Sequence, residues 1–204
     1  MKSNKQDKYK MSSYLEVTFG PMFSGKTTNL IHKIHTYLDI HSSKGCQKKG
    51  LIINYEGDNR NLNKCGNLTT HSSSKKEINP FISTVTVEKL EQVSYYLIRE
   101  VDYIAIDEGQ FYDDLEDYVK SWLFLKKHIH CSGLIADSNK SKFGKMIDLI
   151  PFADHVEQLK AYCIECKEHS MNAPFTKAKK PKSPSNKILI GGKNHYIPVC
   201  GNHY

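Results

Sequence analysis

Apolar positions over residues 14 to 158 form short continuous runs that alternate with stretches of helical spacing. YLEVTF at 14 to 19 is a β-rich run stopped by Gly20 and Pro21. From Lys26 the period changes. Leu30, Ile31, Ile34, Tyr37 and Leu38 recur three and four apart, with Lys33 and Asp39 facing away, which predicts a helix of about 15 residues. LIIN at 51 to 54, ISTVTV at 82 to 87, YIAID at 103 to 107 and HIHCSGLI at 128 to 135 predict further strands. Residues 88 to 98 read as a helix, as do Leu115, Tyr118, Val119, Trp122 and Leu123, which match one face of an amphipathic helix. Alternating β and α elements predict an α/β fold, a mainly parallel sheet flanked by helices and joined by right-handed crossovers. Residues 55 to 80, rich in Asn, Gly, Ser and Lys, show no period and predict a long mobile segment.

Beyond residue 158 the pattern stops. Residues 159 to 204 hold a cysteine pair, a Pro/Lys/Ser-rich stretch (APFTKAKKPKSPSNK) and a final ILIGG…YIPVC run, too little apolar material for a core of its own. The expected organisation is a basic extension over 1–13, an α/β unit over 14–158 and a smaller unit over 159–204. At 204 residues and 25% charged, the chain is long and apolar enough for one ordinary core, which excludes a disordered or collagen-like protein. No apolar run approaches membrane-spanning length. The lysine-bearing start has no signal-peptide stretch, so a cytoplasmic location and no membrane partner are expected.

Charge narrows the ligand. Of the net +7, residues 169 to 204 carry +6 and residues 1 to 10 carry +3, leaving about −2 for the body. A basic tail on a near-neutral body suits a locally held anion such as nucleotide phosphate rather than a broad nucleic-acid face.

The chemistry concentrates in three places. Gly20-Pro-Met-Phe-Ser-Gly25-Lys26-Thr27 matches G-x-x-x-x-G-K-[ST] between a predicted strand and a predicted helix, the context a phosphate-binding loop requires. Glycines let backbone approach phosphate, Lys26 reaches β and γ oxygens, and Thr27 can hold Mg²⁺. A second acid must come from the end of a neighbouring strand. Asp107 closes YIAID and is the candidate; Glu108 follows, placed to take a proton from a hydroxyl, to activate water, or to favour the start of the next helix. Cys163-x₂-Cys166 and Cys200-x₂-His203 make a closed four-ligand set for structural zinc, as in a zinc ribbon. Cys46, Cys65 and Cys131 lack such company and are expected to be ordinary thiols, with His32, His35 and His41 on the helix surface.

Together these residues resemble the zinc-containing (type II) thymidine kinase family, from about Leu15 to His203. The likeness rests on Gly20 to Thr27, Asp58-Asn-Arg60, Thr70-His71, Asp107-Glu-Gly-Gln-Phe111, Phe143-Gly144, the two ligand pairs, and Ile190-Gly-Gly…Tyr196. The resemblance implies a P-loop, RecA-like sheet with a zinc ribbon and a lasso loop over the nucleoside. It implies Glu108 as base on the 5′-hydroxyl and Lys26 as phosphate lysine. Gly20, Pro21, Met22, Phe23, Ser24, Gly25, Thr28, Asp58, Arg60 and Gln110 would join them around ATP, with Thr27 and Asp107 on Mg²⁺. Met22, Phe111, Leu134, Phe143, Thr176, Leu189, Ile190, Gly191 and Tyr196 would enclose the base. Implied partners are thymidine, deoxyuridine and ATP, with dTTP feedback, a homotetramer and no nucleic acid. Two departures from the family pattern stand out: Gly133-Leu-Ile-Ala-Asp-Ser138 puts a small hydroxyl where an aromatic wall is usual, and Thr176-Lys177-Ala178 lacks the usual arginine. The rival reading is a zinc-ribbon nucleic-acid-binding P-loop ATPase. It fits the basic tail but lacks aromatics interleaved with the lysines.

Overall fold

A computed structural model describes residues 12–43, 46–57, 79–166, 172–179 and 194–204. The central sheet has six strands: β1 (Tyr14–Phe19), β2 (Gly50–Tyr55), β3 (Ile82–Val87), β4 (Tyr103–Ile106), β5 (His128–Gly133) and β6 (His155–Gln158). All its pairings are parallel, in the order β3-β2-β4-β5-β1-β6. Helices α1 (Lys26–His41), α2 (Tyr95–Glu100) and α3 (Leu115–Phe124) supply the crossovers. Among the described residues no helix is long and apolar enough to cross a membrane.

The two faces of the sheet differ. One is aliphatic: Val17, Ile53, Ile104, Ile106 and Ile129 pack with Leu115, Val119 and Trp122 of α3, all buried. The other carries Ile52, Tyr103 and Ala105 against Leu30, Ile34, Tyr37 and Leu38 of α1. Along that side Glu16 pairs with Lys33, and Thr18 Oγ1 lies 2.8 Å from His130 Nε2. His128 stacks on Tyr103 with ring centroids 4.7 Å apart.

Local chemistry moves two boundaries from their predicted places. The stretch 88 to 98 divides into a 3₁₀ turn at Leu90–Gln92 and the short α2. Gln92 Oε1 accepts from the Glu88 and Lys89 amides, and the Asp114 carboxylate accepts from Leu90 and Glu91, so side chains take donors that a continuous helix would need. β5 ends at Gly133 because the Leu134 N–H turns to the Gln110 side chain. β6 was not visible as a strand in the sequence pattern. Residues 58–78 of the predicted mobile segment, most of the basic extension, and residues 167–171 and 180–193 lie outside the described residues.

After β6 the chain forms a separate antiparallel pair, β7 (Phe175–Ala178) with β8 (Tyr196–Val199), beside the Ala161–Ala173 bridge. Its buried cluster is small: Ala161, Cys163, Ala173, Val199 and Cys200.

Candidate active site and metal centre

The P-loop leaves β1 at Gly20 and enters α1 at Lys26. Its two glycines serve different needs. A Cβ on Gly20 would lie 2.4 Å from the Leu159 carbonyl oxygen, because the chain leaving β6 runs against it and Leu159 N–H donates to Phe19. Gly25 has open space around it but sits at φ +84, the left-handed region where glycine is strongly favoured. Phe23, also left-handed at φ 67, is exposed. Ser24 donates to the Pro21 carbonyl at 2.9 Å, and buried Lys26 donates to the Gly20 and Pro21 carbonyls at 3.1 and 2.8 Å. Thr28 is exposed on the first turn of α1.

Asp107 follows β4 directly. The expected acid strand is not next to β1: β5 lies between them, and register sets Val17, Cys131 and Ile106 in one row across the three strands. Thr27 spans the gap from α1. Its hydroxyl donates to Asp107 Oδ2 at 2.8 Å, while Asp107 Oδ1 accepts from the Glu108 N–H at 3.0 Å. Burial, with the adjacent Glu108 charge, pushes the Asp107 carboxyl up to about 7 against the lowering effect of these bonds and of Lys26. Asp107 and Thr27 are all-oxygen donors at a phosphate loop, the chemistry that suits Mg²⁺.

Glu108 adopts the left-handed conformation, φ 53 and ψ 42, uncommon for a side-chain-bearing residue. Gln110, expected beside ATP, is 3% exposed and contacts Glu108 and Leu134. Phe111 meets Phe143 edge-on at 5.5 Å and stacks on Tyr55 at 4.7 Å. Tyr55 was missed in the sequence, where it fell at the start of the aperiodic 55 to 80 segment; it is the last residue of β2. Met22 of the P-loop donates its N–H to the Thr176 hydroxyl at 3.0 Å, bringing β7 onto the loop. Tyr196 opens β8 and is buried, its phenol raised by burial and by the nearby Asp137 charge. Asp58, Arg60, Leu189, Ile190 and Gly191, with Thr70 and His71, lie outside the described residues.

The four predicted zinc ligands meet. Cys166 Sγ lies 3.8 Å from Cys200 Sγ, and His203 Nδ1 lies 3.6, 3.5 and 3.2 Å from Cys163, Cys166 and Cys200. A tetrahedron with ordinary Zn–S and Zn–N bonds has edges of about 3.8 Å between sulfurs and about 3.5 Å between sulfur and nitrogen. The donor set therefore fits zinc in size as well as in chemistry. Burial acts to raise the Cys163 thiol, but amide N–H groups of Cys200 and Glu165 outweigh it and bring it down to about 6, toward the thiolate a metal needs. Cys46 is exposed and Cys131 buried, with burial raising the Cys131 thiol. Neither belongs to a metal-ligand group among the described residues.

Besides Thr176, Tyr204 and Lys140 also tie the unit around these ligands to the sheet domain. Tyr204 donates to the Ser138 carbonyl at 2.6 Å, and the Lys140 ammonium lies 4.2 Å and 3.7 Å from the ring centres of Phe175 and Tyr204.

A family model described as "Thymidine kinase" matches residues 13–204. The chain belongs to the thymidine kinase family. Among individual relatives, the thymidine kinase of Oryza sativa subsp. japonica is 35% identical over 193 residues, 93% of this chain and 65% of the rice protein. The thymidine kinase of Amsacta moorei entomopoxvirus is 36% identical over 191 residues, 91% of this chain and 94% of the viral one. Thymidine kinase 1 of Dictyostelium discoideum is 33% identical over 193 residues, 93% and 77% of the two chains. For a thymidine kinase family member, the loop at β1, the acids after β4 and the aromatics after β2 and β4 gather at the C-terminal edge of the sheet, where parallel α/β folds bind ligands.

Proposed function

We propose that this protein transfers the γ-phosphate of ATP to the 5′-hydroxyl of thymidine, and of deoxyuridine, giving the nucleoside monophosphate and ADP. The observation that carries the reading is the meeting of Thr27, Asp107 and Glu108 at one strand edge in a chain of this family.

Glu108 takes the proton of the 5′-hydroxyl as that oxygen attacks phosphorus in line. Lys26, released from its loop carbonyls, stabilises charge on the transferred group, together with the loop amides and the α1 N-terminus. Thr27 and Asp107 would hold Mg²⁺, which supplies charge neutralisation on the phosphates when bound. Phe111, Phe143 and Tyr55 offer an aromatic wall for a flat base, with Met22, Leu134, Thr176 and Tyr196 as further base-side residues. Backbone groups of the 188–192 stretch would read the pyrimidine edge. Cytosine exchanges donor and acceptor there and would leave polar groups unpaired.

In the same reading, residues 14–158 are the nucleotide-binding unit and 159–204 a ribbon whose long loop covers the nucleoside. Cys163, Cys166, Cys200 and His203 hold a structural zinc that sets this lid against the P-loop. Asp58, Arg60 and Gly20 to Thr28 bind ATP. A homotetramer, dTTP feedback and a cytoplasmic setting complete the proposal, on the resemblance alone.

The test is γ-phosphate transfer from ATP-Mg to thymidine, deoxyuridine and deoxycytidine, with Glu108→Gln beside the wild type. Expected is transfer to the first two, falling about 10²- to 10⁴-fold in the variant, whose amide keeps the shape but takes no proton. Phosphorylation of deoxycytidine as well would trace to the small Ser138. ATP hydrolysis with no nucleoside phosphorylated would refute the reading.

A further inference from the structure

Gln110 is buried where the loop after β4 passes the end of β5, and both ends of its amide are engaged. The Leu134 N–H donates at 2.7 Å to one end. A backbone amide can only donate, so that end is the carbonyl oxygen Oε1 and the NH₂ group faces the other way. There it donates to Glu108 Oε2 at 2.5 Å, a charge-assisted contact. The orientation of the amide thus follows from its neighbours.

The surroundings leave Gln110 little freedom. A Cβ on Gly133 would lie 2.4 Å from Gln110 Oε1, and one on Gly144 would lie 2.1 Å from the Gln110 carbonyl oxygen. Gly144 also needs its left-handed φ of 62. On the far side of Glu108, its own N–H is held by Asp107 Oδ1. The residue read as the general base, in an uncommon backbone conformation, is therefore gripped from its main chain by one side chain and from its carboxylate by another.

We infer that Gln110 is a positioning residue for Glu108: its NH₂ aims the carboxylate, and its oxygen ties that aim to Leu134 at the base-side end of β5. Gln110 does not bind ATP. It acts only through Glu108 and makes the position of the base depend on the strand end that borders the nucleobase. The inference rests on the kinase reading above and deepens it. A base displaced by a fraction of its own hydrogen-bond length loses alignment with the attacking oxygen, which appears in kcat rather than in nucleotide affinity.

Gln110→Met keeps the length and removes both polar ends; Gln110→Glu keeps an acceptor for Leu134 and the packed volume but removes the donor. Full-length, zinc-loaded protein is assayed for dTMP formation, with folding checked by thermal unfolding and ATP binding by calorimetry. Both variants are expected to lose about 10- to 100-fold in kcat, with KM and Kd for ATP within about twofold of wild type. Placed in Glu108→Gln, either substitution is expected to cost nothing further, because the group it acts through is gone. A loss that multiplies with that of Glu108→Gln, or a rise in KM for ATP at unchanged kcat, would overturn the inference. So would a Gln110→Glu protein that folds and turns over like wild type. A wild-type protein that makes no dTMP would instead overturn the functional reading.

Discussion

In the parallel sheet, Val17, Ile104, Ile106 and Ile129 are fully buried beneath α3, whereas among the described residues the apolar cluster of the C-terminal unit is Ala161, Cys163, Ala173, Val199 and Cys200. Two of those five, Cys163 and Cys200, belong to the group of four whose donors fit zinc. The sheet draws its stability from apolar area spread over many strands, each neighbour covering the next. In the proposed zinc-bound form the C-terminal unit would draw its stability from four metal bonds, because a small apolar cluster offsets little of the entropy of ordering the chain. Removing one contact from the first weakens it; removing the ion from the second should dissolve it.

Zinc removal gives the largest expected effect. In small zinc-dependent domains about 10 kcal/mol or more of apparent binding energy is folding energy. Chelation, or Cys163→Ser, should unfold the β7–β8 unit while Trp122, the single tryptophan and buried on the sheet-facing side of α3, keeps its native fluorescence. Amide exchange at β7 and β8 would rise, and the Thr176 hydroxyl would leave Met22. A sheet that melts together with the zinc unit would break the distinction between the two.

Acid probes the sheet alone when Trp122 is the reporter. Burial holds His128 down at about 4 and His130 down at about 3, against about 6.5 in the unfolded chain. The unfolded state therefore binds these protons first. The contribution is complete above pH 6.5 and is lost as pH falls toward the folded values, with His130 alone giving about 1.4 kcal/mol per pH unit. His130→Gln should flatten part of that slope. The raised Asp107 carboxyl acts in the opposite sense over the same range, so the test is the difference. A His130→Gln protein whose Trp122-monitored slope from pH 7 to 5 equals that of the wild type would contradict the burial argument.

The smallest effect tests the joint between the regions. Lys140→Met removes the cation between the Phe175 and Tyr204 rings, worth about 0.5–1 kcal/mol at an exposed site. The expected result is faster exchange at β7 and a few-fold higher KM for thymidine, with zinc content and Trp122 fluorescence unchanged. An unaltered KM would show that Thr176 and Tyr204 suffice to seat the unit.

Much of the site could be read from the chain. The loop pattern at Gly20 to Thr27, the Asp107-Glu108 pair and the spacing of Cys163, Cys166, Cys200 and His203 are legible because each rests on local spacings with a strand or turn beside them. Tyr55 escaped because its stacking on Phe111 joins two strand ends distant in sequence. For Gln110, motif membership points to the ATP side but carries no direction for a side chain. Its contacts point to Glu108 and Leu134. The short β6 escaped because its alternation is weak: three of the four residues in HVEQ are polar and it lies at the sheet edge.

The sequence by itself determined the alternation of strands and helices, the phosphate loop, the acids and the metal-ligand set, since periodicity and short spacings are written in adjacent residues. Only the tertiary structure decided that β5 separates β1 from β4, that Thr27 must reach Asp107 across it, and that Gly20 is small because Leu159 passes beside it. It also decided that Lys140 joins the two regions. These are contacts between segments far apart along the chain. Lateral strand order and the meeting of loop side chains depend on how whole layers pack, which no local pattern of residues encodes.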